Sequence, residues 1–162
     1  MDFEINKIHI TAENAPKHAA LLDELIALSE EWTGENSTPG YYRNDADEYF
    51  NKELYVARAD GKTVGYALGH IKVLEEATSY NVVGEKAFEL DELFVTKAFR
   101  GRGIASALFR FVENDVCDKV DVIGLTAATK HYKELLKLYI EELGMNFNHA
   151  LLVKRTERGK NE

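Results

Sequence analysis

Apolar positions along this chain fall into alternating and helical stretches, separated by clear punctuation. Ile5 to Ile10 alternates and predicts a short edge strand. Asn14 followed by Pro16 predicts a helix start, because proline suits the first turn. Leu21, Leu22, Leu25, Ile26 and Leu28 continue as a helical stripe, expected to end before Gly34. Glu35 to Gly40 reads as a loop, and Asn44 to Lys52 as a second helix rich in acids and aromatics. Leu54 to Ala59, the turn Asp60-Gly61 and Thr63 to Val73 form a hairpin signature. Glu75 to Glu85 is a polar connection and Ala87 to Thr96 the next strand. After a loop at Lys97 to Gly103, Ile104, Leu108, Phe111, Val112 and Val116 share one helix face. Val120 to Thr126 predicts a strand, and Tyr132 to Leu143 a helix stopped by Gly144. Phe147 to Val153 predicts a last strand, before a charged tail from Arg155 to Glu162.

This order predicts a mixed α/β fold. Its sheet is mostly antiparallel through the hairpins and parallel across the strand–helix–strand unit of residues 87–126. A length of 162 residues suits one domain, and no repeat or Pro/Gly/Ser linker divides it. The expected domain is 1–154, with 155–162 as its tail. Lys and Arg total 20 against 28 Asp and Glu, a net charge of −8. That balance argues against a nucleic-acid-coating protein and favours cationic partners. The single cysteine, Cys117, excludes an internal disulfide or a multi-cysteine zinc site. His9, His18, His70 and His149 lack metal-ligand spacing, so no metal is expected. Met1-Asp2-Phe3-Glu4 is no secretion signal, and no apolar run approaches the roughly 20 residues that cross a bilayer. The expected setting is cytoplasmic, away from membranes.

The chemistry concentrates at Leu93-Phe94-Val95-Thr96-Lys97-Ala98-Phe99-Arg100-Gly101-Arg102-Gly103-Ile104-Ala105-Ser106. A strand enters a basic, glycine-containing turn and leaves as a helix. The first amides of a helix have no intrahelical acceptor, and the dipole adds roughly half a positive charge there. Gly101 and Gly103 leave room for an anion, and Lys97, Arg100 and Arg102 reverse the local charge of an acidic chain. The arrangement reads as a phosphate cradle. It lacks the Gly-Lys-Ser/Thr of a Walker loop and the third glycine of the dinucleotide fingerprint.

These residues resemble the GNAT superfamily of acetyl-CoA-dependent N-acyltransferases. Arg100-Gly101-Arg102-Gly103-Ile104-Ala105 matches every fixed position of its Arg/Gln-x-x-Gly-x-Gly/Ala signature. Leu93-Phe94-Val95 is similar to the family's Leu-x-Val before that loop, and Tyr139 to Met145 is close to its Tyr-x-x-Leu-Gly-Phe. The element order fits from residue 3 to 153. The resemblance implies a GNAT fold with helices on both faces of the sheet and a splayed parallel strand pair. It implies acetyl-CoA as co-substrate, its pyrophosphate on the backbone amides of Arg100, Gly101, Arg102, Gly103, Ile104 and Ala105, with Ser106 nearby. The pantetheine arm would pair with the backbone of Leu93, Phe94 and Val95, and the N–H of Phe94 or Val95 would polarise the thioester carbonyl.

The implied reaction is direct attack of a primary amine on the thioester in a ternary complex. For a lysine-like amine of pKa about 10.4, reaching the neutral form at pH 7 costs roughly 4.6 kcal/mol, so a base or a water relay is needed. Glu89, Asp91 and Glu92 precede the loop, and alternation puts Glu89 and Asp91 on one face and Glu92 on the other. Glu92 or Asp91, acting through water, is the expected base. Tyr139 resembles the family's thiol-protonating tyrosine, but it lies five residues before Gly144 where the family has four. A helical bulge would restore its position; otherwise water is the acid. Tyr132 stands where the family often carries a cofactor-binding asparagine. Glu30, Glu31, Trp32, Tyr41, Tyr42, Asp45, Asp47, Glu48 and Tyr49 suit a cationic amine, from a small molecule or a peptide. A non-catalytic acyl-CoA-binding module and a protein-modifying acetyltransferase are the alternatives. Family members are often homodimers, but no interface is readable in this chain.

Overall fold

The computed structural model describes residues 2–156 and residue 158. At its centre is a five-stranded sheet in the order β1-β2-β3-β4-β5, formed by Glu4–Ile8, Glu53–Ala59, Lys62–Val73, Lys86–Val95 and Val122–Leu125. The first three junctions are antiparallel and β4–β5 is parallel. Asp60 and Gly61 turn the β2–β3 hairpin with φ of 51° and 75°, which follows the twist of the strands.

A core lies on each face of the sheet. Helix α1 (Ala19–Glu35) sets Leu22, Leu25 and Leu28 over Leu54, Val56, Tyr66, Leu68 and Phe94. On the other face, helix α2 (Ile104–Val116) packs on Tyr55, Ala57, Ala67, Phe88 and Leu90. Helix α3 (Tyr132–Leu136) runs into a wider π-type turn at Lys137–Glu142, which brings Tyr139 and Leu143 into this second core.

Several elements depart from the sequence expectations, each for a physical reason. Helix α1 runs through Gly34 and stops at Asn36, whose φ of 50° caps it with an N–H bond to the Thr33 carbonyl. The second helix is only a 3-10 turn at Ala46–Tyr49. The Tyr49 hydroxyl is anchored on the Leu25 carbonyl and β2 begins at Glu53, so there is no length in which to propagate a helix. In α2 the inward ring is Phe109, while Phe111 is 37% exposed. Steps of four residues advance a stripe by about 40° each, so by Val116 it has rotated toward Phe109.

The strand expected at Phe147–Val153 does not form. Leu151, Leu152 and Val153 are 87%, 89% and 86% exposed. Apolar, β-favouring residues need a partner edge to become a strand, and no backbone ladder reaches this stretch among the described residues. Arg155 and Thr156 of the expected tail are exposed, and most of the rest of that tail lies outside the described residues.

Candidate active site

β4 carries the site, and two irregularities of that strand create it. Its pairing with β5 covers only Ala87–Leu90 opposite Val122–Leu125. On the other side, β4 stays paired with β3 as far as Val95. Past Leu90 the edge of β4 that faces β5 therefore has no ladder partner, and Leu93 and Phe94 lie along this opening. At its end, the Val95 carbonyl accepts a hydrogen bond from Arg100 Nε at 2.9 Å.

The second irregularity is a bulge. Glu92 lies opposite Leu68 and Leu90 opposite Gly69, so Asp91 is an extra residue. A Cβ at Gly69 would collide with the Glu89 carbonyl and the Phe88 ring, so the bulge requires glycine there. The extra residue reverses strand parity. Phe88 and Leu90 point into the α2 core, whereas Phe94 packs under α1. Glu92 thus shares the α1 face with Glu89, contrary to unbroken alternation. Asp91 turns to His70, Oδ2 to Nδ1 at 2.8 Å, and Glu89 pairs with Lys72.

On the α1 face Glu92 is enclosed by neutral donors. Tyr66 donates its hydroxyl to Oε2 at 2.5 Å, and Tyr41 donates to the same oxygen at 3.4 Å. The Asn44 amide reaches both oxygens, at 2.9 and 3.0 Å. Burial pushes the Glu92 carboxyl above its ordinary range, against the pull of these donors. Burial also raises Tyr41 and Tyr49 to about 12, so both stay protonated as donors. Beside the carboxylate stands a ring stack. Trp32 lies 4.1 Å from Tyr41 and 5.3 Å from Phe94, and the Arg100 guanidinium sits 5.2 Å above Phe94.

The turn after β4 is fixed by α1. Glu31 accepts the Thr96 hydroxyl and the Lys97 N–H, and Glu35 pairs with Arg100. The Arg100 N–H turns back to the Lys97 carbonyl at 3.4 Å, and Arg102 lies over the Phe99 ring. Gly101 and Gly103 take φ of 74° and 79°, a backbone that excludes most side chains. A Cβ at either would meet nothing within 4 Å, so the space above the turn is open. Among the described residues no side chain caps α2. The N–H groups of Gly103, Ile104, Ala105 and Ser106 have no hydrogen-bond partner among the described residues. Converging amides, the helix dipole and open space fit a diphosphate.

The sequence matches the Acetyltransferase (GNAT) family over residues 21–145. The chain belongs to the GNAT acetyltransferase family. No curated protein matches it. Solved structures similar to it include an aminoglycoside acetyltransferase from an uncultured soil metagenomic sample, with 20% identity and TM-score 0.67, covering 97% of this chain and 100% of that one. A ribosomal-protein-alanine N-acetyltransferase from Brucella melitensis biovar Abortus 2308 has 21% identity and TM-score 0.64, covering 96% and 100%. An aminoglycoside N-acetyltransferase in complex with CoA has 17% identity and TM-score 0.65, covering 96% and 95%.

Within this GNAT domain, Glu92 and the open edge lie on β4 and the signature glycines in the turn that follows it. Tyr139 lies on the α2 side. It is 5% exposed and meets Phe109 edge-on at 5.6 Å. The π-type turn inserts the extra residue that the spacing to Gly144 called for, with the Leu143 N–H bonded to the Leu138 carbonyl. The Tyr139 hydroxyl has no partner among the described residues, and burial raises its pKa, so it stays protonated. Tyr132 is 53% exposed. No helix among the described residues is long and apolar enough to cross a membrane.

Sequence reasoning missed Asn44, Ser29 and Tyr66. Ser29 is fully buried in α1 and its Oγ accepts the Asn44 N–H at 2.8 Å. Their small polar side chains gave no periodic signal. The bulge had one, the isolated Gly69 inside an alternating strand.

Proposed function

We propose that this GNAT protein transfers the acetyl group of acetyl-CoA to a primary amine, by direct attack in a ternary complex. The observation that carries the reading is the run of amides at Gly103–Ser106 with no partner among the described residues, following a strand whose β5-facing edge is open. The amides from Gly101 to Ser106 would hold the pyrophosphate, the Arg100 N–H being taken by the Lys97 carbonyl. The backbone of Leu93, Phe94 and Val95 would align the thioester and offer an N–H to its carbonyl oxygen. Acetyl-CoA supplies the activated acyl group.

Glu92 is the residue proposed to take the amine proton, directly or through one water, with Asp91 as the second candidate. The amine nitrogen bonds to the acyl carbon, the carbon–sulfur bond breaks, and the leaving sulfur takes a proton from Tyr139 or water. Each turnover converts an ammonium and a thioester into an amide, a thiol and a released proton. A cationic acceptor, on a small molecule or a peptide, suits the acidic chain and the half-buried carboxylate beside aromatic rings. Similar folds include enzymes named for aminoglycosides and for a ribosomal-protein alanine, which span the same two acceptor classes.

A thiol-release screen of acetyl-CoA against polyamines, amino sugars and peptide amines tests the proposal. Amine-dependent release is expected. Tight acetyl-CoA binding without acceptor-dependent release would replace it with a non-catalytic acyl-CoA-binding role, and release only with intact proteins would indicate a protein-modifying enzyme.

A further inference from the structure

Glu92 is reached by three donor side chains, and two of them hang from one buried atom. Ser29 Oγ bonds the Tyr41 hydroxyl at 2.6 Å and receives the Asn44 main-chain N–H at 2.8 Å. Asn44 is itself buried, and among the described residues its amide is the only group that reaches both carboxylate oxygens. The donors are unevenly shared. Among the described residues, Oε2 accepts from Tyr66, Tyr41 and Asn44, while Oε1 accepts from Asn44 alone. A carboxylate oxygen has about two good acceptor directions, so Oε2 is filled and Oε1 keeps one free.

We propose that Asn44, held by Ser29 of α1, is a positioning residue that orients the Glu92 carboxylate and presents Oε1 to the acceptor amine. The inference rests on the reading of Glu92 as the carboxylate that meets the amine. An amide donor suits the task because it bonds the charged carboxylate without neutralising it, whereas a cation in the same place would compete with the incoming ammonium. The other groups around Glu92 are consistent with that division. Tyr41, Tyr49 and Tyr66 are neutral phenols, and Lys52, which acts on Glu92 only at longer range, pairs with Glu48 at 3.8 Å. Ser29 is neutral, and Asp91 is turned to His70.

The test follows Glu92 itself as well as turnover. Carbon-13 NMR of carboxyl-labelled protein without substrate gives the Glu92 titration, assigned by its loss in Glu92→Gln. Asn44→Leu, of similar volume, removes the donor, and Ser29→Ala loosens its support. Hydrogen bonds to a charged group are strong enough that Asn44→Leu should raise the proton affinity of Glu92 at least tenfold, with a shift of about threefold for Ser29→Ala. The acid limb of kcat/KM should move to higher pH by the same factor, and activity should recover above the new midpoint, which a purely structural defect would not do. An unchanged Glu92 midpoint in folded Asn44→Leu overturns the inference. If that variant does not fold, an unchanged midpoint in Ser29→Ala does so. Absence of amine-dependent thiol release in the unsubstituted protein would instead refute the acetyl-transfer reading, and the NMR titration still decides the positioning role.

Discussion

Asp115 and Glu92 lie on opposite faces of one sheet, and each accepts a hydroxyl from a fully buried tyrosine. Tyr55 donates to Asp115 at 2.7 Å and Tyr66 donates to Glu92 at 2.5 Å. Their remaining neighbours differ in kind. Asp115 also holds Lys7 at 2.8 Å and Lys119 at 3.0 Å. Burial acts against its charge, yet these lysines and Tyr55 hold its carboxyl well below the usual range. Among the described residues Glu92 has only phenols and an amide within bonding distance, and burial carries it the other way. A carboxylate already matched by two lysines ties β1 to α2 and gains little from a further positive charge. One desolvated among neutral donors still gains from a positive charge, as an acceptor ammonium would supply.

The largest break in this comparison comes from removing charge on the α1 side. Glu92→Gln keeps the shape and should lower kcat/KM by about 10²–10⁴-fold, the usual worth of a proton acceptor, while acetyl-CoA affinity stays the same. Wild-type rates in Glu92→Gln would shift the role to Asp91. Tyr139→Phe removes the proposed acid at the sulfur end and should slow turnover by about 10- to 100-fold with little change in KM. Wild-type turnover would leave water as the acid.

Asp115→Asn should do the reverse of Glu92→Gln. It should lower stability by about 1–2 kcal/mol in urea unfolding at low salt and leave kcat/KM untouched. The two carboxylates also predict opposite pH dependences. Asp115 has a depressed folded pKa, so its contribution is present above the unfolded value and is lost as pH falls through the folded one. Glu92 has a raised folded pKa, so the unfolded chain ionises first and stability declines as pH rises from the ordinary glutamate value through the folded one. Relative to Glu92→Gln, the unsubstituted protein should therefore gain stability on acidification through that window. Equal slopes for the two proteins would contradict the desolvation of Glu92.

The open glycine turn after β4, proposed to hold the cofactor, was legible in the sequence because it depends on local backbone. Gly101, Gly103 and the helix start at Ile104 sit within a few residues of one another, and their spacing alone points to free amides. The hairpin at Asp60-Gly61 was legible for the same reason. The acceptor side depends on contacts between distant segments. Ser29, Asn44, Tyr66 and Glu92 come from a helix, a loop and two strands, and only the bulge at Asp91 turns Glu92 toward the others. Tyr139 was intermediate, since one extra residue before Gly144 pointed to the wide turn now seen at Lys137–Glu142. At Phe147–Val153 composition misled, because apolar β-formers do not reveal whether a partner edge exists.

Titration calorimetry of acetyl-CoA into the unsubstituted protein and into Gly103→Glu tests most directly whether the turn after β4 grips the co-substrate. The carboxylate would fill the open space above the turn and repel phosphate, and Gly103→Ala controls for strain at the positive φ. Binding should weaken at least about 100-fold in Gly103→Glu beyond any loss in Gly103→Ala, with the circular dichroism of a folded protein kept. Unchanged acetyl-CoA affinity in folded Gly103→Glu would contradict the account.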